Sequence, residues 1–153
     1  MCMDKGSFTA ISIQQLPELW PVDRVDVDGL SFRLRHGFRT TTGAPGYFFD
    51  LYEGATTVGA ATLVISRDRT LVNRCGHIGC DVQPQLRMQG YTERLAKALL
   101  PLLKAHGIQE ALITAEVGHQ SLHDSLQRLG AVWLDQLPAD AQDTAKARFR
   151  VPL

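Results

Sequence analysis

Alternating hydrophobic and polar side chains mark the first part of this chain. The alternation begins at Leu30, where Leu30, Phe32 and Leu34 are separated by polar residues, and this period of two predicts a β-strand. The same reasoning predicts further strands at Tyr47–Glu53, Thr57–Ser66 and Gly76–Val82. Residues 36–46 are rich in glycine, threonine and proline and predict a loop, whereas residues 1–29 predict no definite element.

The hydrophobic period changes near residue 90. Leucines at positions 95, 99, 102 and 103 form one stripe, which predicts a helix over Gly90–His106 that stops at Gly107. A second helix is predicted at Ser121–Leu129, and short strands at Ala111–Val117, Ala131–Leu134 and Arg148–Val151. This order predicts an α/β (α+β) fold in which two main helices pack on a mixed sheet.

Composition narrows the class of protein. The 153 residues are enough for one domain, which we expect to span 1–153. Lys plus Arg and Asp plus Glu each number 16, so no net charge favours binding to nucleic acid or to an anionic membrane. No stretch of about 18 apolar residues predicts a membrane span. The cysteines at 2, 75 and 80 form no pair motif, so we expect reduced thiols and a cytoplasmic location.

The segment from Asp81 to Thr92 combines a strand end, a short loop and a helix that begins at Gly90. The first amides of a helix are unpaired and carry partial positive charge, and glycine lets a ligand approach the backbone closely. Arg87 adds a positive charge to the loop. These features suit a phosphate group, but an ordinary strand–loop–helix connection has the same ones, and both interpretations stay open here.

A more specific pattern lies in the same segment. Arg87-x-x-Gly90-x-Thr92 resembles the Arg/Gln-x-x-Gly-x-Gly/Ala loop of the GNAT N-acetyltransferases, and Gly76–Gly79 is similar to the family's preceding strand. The likeness extends over residues 46–134 and the last strand. It includes Val82-x-Pro84, a proline-containing helix similar to that of a bacterial subgroup of predicted acetyltransferases, His119-x-x-Leu122 and Leu129-Gly130.

This resemblance implies a mostly antiparallel sheet with a V-shaped splay between the strands predicted at Gly76–Val82 and Ala111–Val117. It also implies transfer of an acetyl group from acetyl-coenzyme A to a primary amine, with no metal. The implied cofactor-binding residues are Val82, Arg87, Met88, Gln89, Gly90, Tyr91, Thr92 and His119. Three positions depart from the family pattern: Thr92 replaces Gly or Ala, His119 replaces Asn, and Leu126 replaces a Tyr that protonates the departing thiolate.

An amine acceptor must lose a proton before it attacks, because an amine with a pKa near 10 is mostly protonated at pH 7. Three side chains are candidates for the base: His77, Asp81 and Glu116. His77 and Asp81 alternate onto one face of their strand, and Glu116 ends the neighbouring strand. For each, a structural role remains the alternative. We favour Glu116 over His77 because the end of its strand borders the expected acceptor site.

Two further expectations complete the sequence analysis. The substitutions at Thr92 and Leu126 leave a second function open, a coenzyme A-binding sensor or interaction module with little catalysis. The short segment before the second strand leaves the acceptor wall incomplete. We therefore expect a homodimer, with residues 1–30 or the terminal strand near Phe149 at the interface.

Overall fold

The computed structural model describes residues 9–68, 72, 74–87, 89–141 and 143–153. These residues include eight strands, which form two antiparallel sheets, and two α-helices. No helix in these ranges is both long and apolar enough to cross a membrane.

The first sheet has five strands in sequence order, so each strand pairs with the one before it. Its strands are β1 (Arg24–Val27), β2 (Leu30–Arg39), β3 (Pro45–Glu53), β4 (Thr56–Val64) and β5 (Ile78–Val82). A two-residue turn at Asp28–Gly29 joins β1 to β2, and both residues have positive φ. A short 3-10 helix, Ile13–Gln15, precedes this sheet.

The second sheet follows the first helix. The helix α1 (Tyr91–Ala105) leads to β6 (Glu110–Glu116), α2 (Gln120–Arg128), β7 (Val132–Leu137) and β8 (Lys146–Pro152). The strand order is β6-β8-β7, so the last strand lies in the middle.

Both helices cover the same face of the two sheets. Leu95 and Leu99 of α1 and Leu126 of α2 share one core with Phe49 of β3 and Phe149 of β8. The other face carries a smaller apolar cluster, with Phe38, Phe48 and Leu112 among its members. In the part of the chain that the structure describes, helices therefore cover one face of the sheets and not the other.

The two sheets meet at a single narrow junction. The His77 N–H donates to the Leu112 carbonyl over 2.8 Å, whereas the His77 carbonyl accepts from Val64 of β4. Gly76 has φ 73°, and a Cβ there would lie 2.4 Å from the Leu112 carbonyl oxygen, so only glycine permits this approach. Beyond the junction β5 and β6 are not paired, which confirms the splay that the family resemblance implies.

Several expectations need correction. Residues 36–46 are not one loop, because β2 continues to Arg39 and β3 starts at Pro45, and β1 was missed within the unassigned segment. Phe149 lies in the central strand of its sheet and its side chain is 1% exposed, so that side chain packs in the core. Cys75 is disulfide-bonded, which contradicts the expectation of three reduced thiols.

Candidate active site

The opening between β5 and β6 is the natural place for a ligand arm. It starts at the His77–Leu112 junction and widens toward the ends of the two strands, Val82 and Glu116. Because α1 returns the chain along the sheet, β5 and β6 end on the same side. The loop that follows β5 and the turn that follows β6 therefore lie at the wide end.

Two helix N-termini also lie at that wide end. α1 begins after Gly90 and α2 begins after His119, and no side chain caps either terminus. The first amides of α1 and the dipoles of both helices contribute partial positive charge at this end, whereas in α2 the amides of Gln120 and Leu122 are bonded to backbone carbonyls. Glu93, the acidic residue in the first turn of α1, faces Arg128 at 3.2 Å, which offsets its charge. The arrangement suits an anionic ligand group.

The loop that leads into α1 holds Arg87 and Gly90 in position. The Arg87 Nε donates to the Val82 carbonyl over 3.1 Å, and its guanidinium lies 3.7 Å from the Asp81 carboxylate. Gly90 has φ 78°, in the left-handed region, and the space around a Cβ at this position is open. The loop thus presents a charged side chain and an unobstructed backbone to solvent.

The other predicted cofactor-binding residues surround these two. Val82 is buried at the end of β5, Gln89 is exposed, and Thr92 is half-buried in the first turn of α1. The Tyr91 hydroxyl donates to Glu53 over 3.2 Å, and burial together with that carboxylate raises the pKa of Tyr91. His119 is exposed beside the turn after β6. Met88 lies outside the described residues.

The structure gives His77 a structural environment. It is 3% exposed, its Nδ1 accepts from the Leu112 N–H at 2.9 Å, and its Nε2 lies 2.8 Å from the Ser66 carbonyl. A nitrogen that accepts carries no hydrogen, so Nε2 is the donor and the ring is the neutral tautomer. Both nitrogens are engaged by backbone groups, and neither is available to take a proton from a substrate.

Glu116 and Asp81 are accessible at the wide end. The Glu116 side chain is 62% exposed and lies 4.0 Å from the Nζ of buried Lys146. Asp81 lines a shallow cavity of about 330 Å³ on the helix-free face, together with Arg35 and Asp50. The carboxylate of Asp50 raises the pKa of Arg35 through a side-chain hydrogen bond. His77 lies just before β5 and Asp81 lies near the other end of the strand, so Asp81 does not orient the His77 ring.

Sequence reasoning missed two features of this region. The Arg35–Asp50 ion pair joins residues from different strands. Thr114 is fully buried in β6, and its hydroxyl has no hydrogen-bond partner among the described residues. A threonine in a strand is ordinary in sequence, so no local signal identifies it.

The comparisons with known proteins agree with this arrangement. The model of the acetyltransferase (GNAT) family matches residues 7–131. The chain therefore belongs to the GNAT acetyltransferases, a family of acyltransferases. None of the curated proteins compared is similar enough to match.

Solved structures of acetyltransferases share the fold. The ribosomal L7/L12 α-N-protein acetyltransferase RimL, in its apo form, matches with a TM-score of 0.64 at 12% identity over 88% of this chain and 99% of that one. RimL in complex with coenzyme A matches with a TM-score of 0.56 at 15% identity, covering 71% of this chain and 62% of that one. The microcin C7 self-immunity acetyltransferase MccE, in complex with acetyl-CoA and AMP, gives 0.56 at 12% identity and covers 71% and 61%. The chain thus spans less than two thirds of the length of the last two.

Proposed function

We propose that this protein transfers an acetyl group from acetyl-coenzyme A to a primary amine. The observation that carries the proposal is the opening between β5 and β6, whose wide end is bordered by two uncapped helix N-termini. An anionic head group attached to a narrow arm matches that shape and charge. The complexes of RimL with coenzyme A and of MccE with acetyl-CoA support this choice of donor.

The pyrophosphate binds the loop of residues 87–92 in this proposal. The first amides of α1 donate to the phosphate oxygens, and Arg87 contributes a fixed positive charge. Open space at Gly90 leaves the backbone accessible. The arm then enters the opening from its wide end, which places the thioester toward the His77–Leu112 junction.

In the transfer step, the neutral amine attacks the thioester carbonyl carbon, and the carbon–sulfur bond then breaks. The amine loses its proton to a water held by Glu116, the accessible carboxylate at the end of β6. The departing thiolate takes a proton from water, because Leu126 is 0% exposed within the core and offers no hydroxyl. His77 serves in the fold and not as the base, since both its nitrogens are bonded to the backbone.

A matched pair of variants at Gly90 tests the coenzyme site. Asp and Asn have nearly the same shape and both tolerate the left-handed backbone conformation, so they differ mainly in charge. We expect Gly90→Asp to weaken acetyl-CoA binding at least tenfold more than Gly90→Asn, measured by isothermal titration calorimetry, because about 1.4 kcal/mol of charge repulsion gives that factor. Equal acetyl-CoA affinities for the two variants would show that the pyrophosphate does not bind to this loop.

A second function stays under consideration because of the position of Leu126. With no hydroxyl there to protonate the thiolate, the protein would bind coenzyme A as a sensor or interaction module and catalyse little. Release of free thiol from acetyl-CoA in the presence of a panel of amines distinguishes the two. Steady release with one amine supports the enzyme, and tight binding without release supports the sensor.

The primary-amine acceptor and its class, the cytoplasmic location and the homodimer stay predictions. RimL is described as acting on ribosomal protein L7/L12, which makes a protein N-terminus one acceptor to include in the panel. The described residues contain no group of three or more metal-binding side chains.

A further inference from the structure

The cavity on the helix-free face is the starting point of this inference. It measures about 330 Å³, and the charged side chains in its lining are Arg35, Asp50 and Asp81. Val82, the last residue of β5, lines this cavity and also stands at the wide end of the opening between β5 and β6. An acceptor can therefore fill the cavity with one end and enter the opening with the other.

The positive charge in this cavity already has a partner within the protein. The Arg35 Nε donates to Asp50 over 3.1 Å, and a second bond from the guanidinium reaches the other oxygen of the same carboxylate. The guanidinium also lies over the ring of Phe48, 4.8 Å from its centroid. Two parallel bonds to one carboxylate give a fixed geometry, so Arg35 and Asp50 together present little net charge to a ligand.

Asp81 makes the formal charge of the cavity lining negative, because one cation and two carboxylates face it. The Asp81 side chain is 38% exposed and lies 3.7 Å from the guanidinium of Arg87, a residue of the proposed coenzyme loop. In the coenzyme complex, Arg87 would divide its charge between Asp81 and the pyrophosphate. The Asp81 backbone packs tightly on β4, where a Cβ on Gly59 would collide with the Asp81 carbonyl oxygen.

We infer that the acceptor is an amine with a second positive charge, as in an alkyl diamine, and that Asp81 binds this second charge. The reacting amine must be neutral when it attacks, so the ammonium group held in the cavity is the other end of the acceptor. Ala60, Val82 and Pro84 supply apolar lining that suits the methylene groups between the two ends. This inference rests on the proposed function and names its substrate class.

The test compares pentane-1,5-diamine with hexan-1-amine, which has a methyl group in place of the second ammonium. We expect wild type to acetylate the diamine with a kcat/KM about tenfold higher. About twofold comes from the two equivalent amines of the diamine, and about fivefold is the upper end of what one half-exposed ion pair contributes. Butane-1,4-diamine with pentan-1-amine repeats the comparison at a shorter spacing.

Matched variants assign the preference to the cavity. Asp81→Asn should lower the ratio of the two kcat/KM values to about two. Asp26→Asn, which removes the same charge from β1 outside the cavity, should leave the ratio as in wild type. Asp50→Asn removes the partner of Arg35, so 6-aminohexanoate, which carries a carboxylate at its far end, should become a better acceptor than it is for wild type.

A ratio near two in wild type, or an unchanged ratio in Asp81→Asn, would overturn the inference. Calorimetric binding of the diamine and of hexan-1-amine to the coenzyme A complex separates this failure from a failure of the proposed function. Transfer to both amines without preference overturns only the second charge. Preferential binding of the diamine without transfer overturns the proposed function and keeps the cation site. Neither binding nor transfer of any of these amines overturns both.

Discussion

Replacing His77 with leucine separates a structural histidine from a catalytic one. The change removes two hydrogen bonds, from the Leu112 N–H to Nδ1 at 2.9 Å and from Nε2 to the Ser66 carbonyl at 2.8 Å. Each buried backbone group left without a partner costs about 1–3 kcal/mol, so the free energy of unfolding should fall by about 3 kcal/mol. In a protein of this size that is a loss of about 6–12 °C in melting temperature.

The assay for this prediction is urea unfolding of wild type and His77→Leu, followed by steady-state kinetics at a temperature where both are folded. His36→Leu is the control, because His36 is half-buried, its ring stacks on Phe48, and the one backbone group near its Nδ1 is the carbonyl of the next residue, Gly37. We expect kcat/KM of His77→Leu to stay within a few-fold of wild type with an unchanged pH profile. If His77→Leu does not fold, His77→Gln keeps a donor and an acceptor for the same comparison.

The opposite outcome would refute this reasoning. His77 would be the base if the His77→Leu protein were as stable as wild type but its kcat/KM fell roughly 10²–10⁴-fold. The rise in rate between about pH 6 and 7 would then also be lost.

Three further predictions concern the base, the core and the oligomer. Glu116→Gln should lower kcat/KM about 10²-fold or more. Asp143→Asn, which removes the nearer partner of Lys146 at 3.2 Å, should leave kcat/KM near wild type. Equal losses in the two variants would contradict the assignment of Glu116 as the base. Burial raises the pKa of Tyr47 to about 12 from 10.0, so the folded state holds its proton more tightly and stability should fall as pH rises from 10 to 12. Tyr47→Phe should flatten that fall in urea unfolding, and identical slopes would refute the assignment. We expect light scattering to give a dimer that pairs through the edge strand β7. Trp133 of that strand is 58% exposed, so Trp133→Lys should separate the dimer. A monomeric wild type at tens of micromolar excludes the dimer.

The candidate coenzyme loop was predictable from sequence because its determinants are local. Arg87 and Gly90 lie three residues apart at a helix start, and the leucine stripe fixes which face of α1 is buried. Local spacing alone favoured an ordinary connection over a phosphate site. The longer family resemblance reversed that preference, and the coenzyme loop stays a prediction.

Sequence periodicity was less reliable where strands and turns carry glycine. The glycines and threonines of residues 36–46 favour a loop by composition, yet β2 continues through Gly37 because Leu16 and Ile13 pack closely against that position. The terminal strand shows ordinary alternation, and nothing in it indicates that β8 lies between β6 and β7.

The sequence by itself determined most of the helices and strands and the family, and it indicated a candidate coenzyme loop, because hydrophobic period and short-range spacing encode these directly. Tertiary structure alone decided the roles of individual polar side chains. His77 is a candidate base by sequence, but the fold brings Leu112 and Ser66, both distant in sequence, to its two nitrogens. Thr114 was unremarkable until the fold buried its hydroxyl beside an unpaired strand edge. A side chain's chemistry depends on its burial and its hydrogen-bond partners, and residues far apart along the chain supply both.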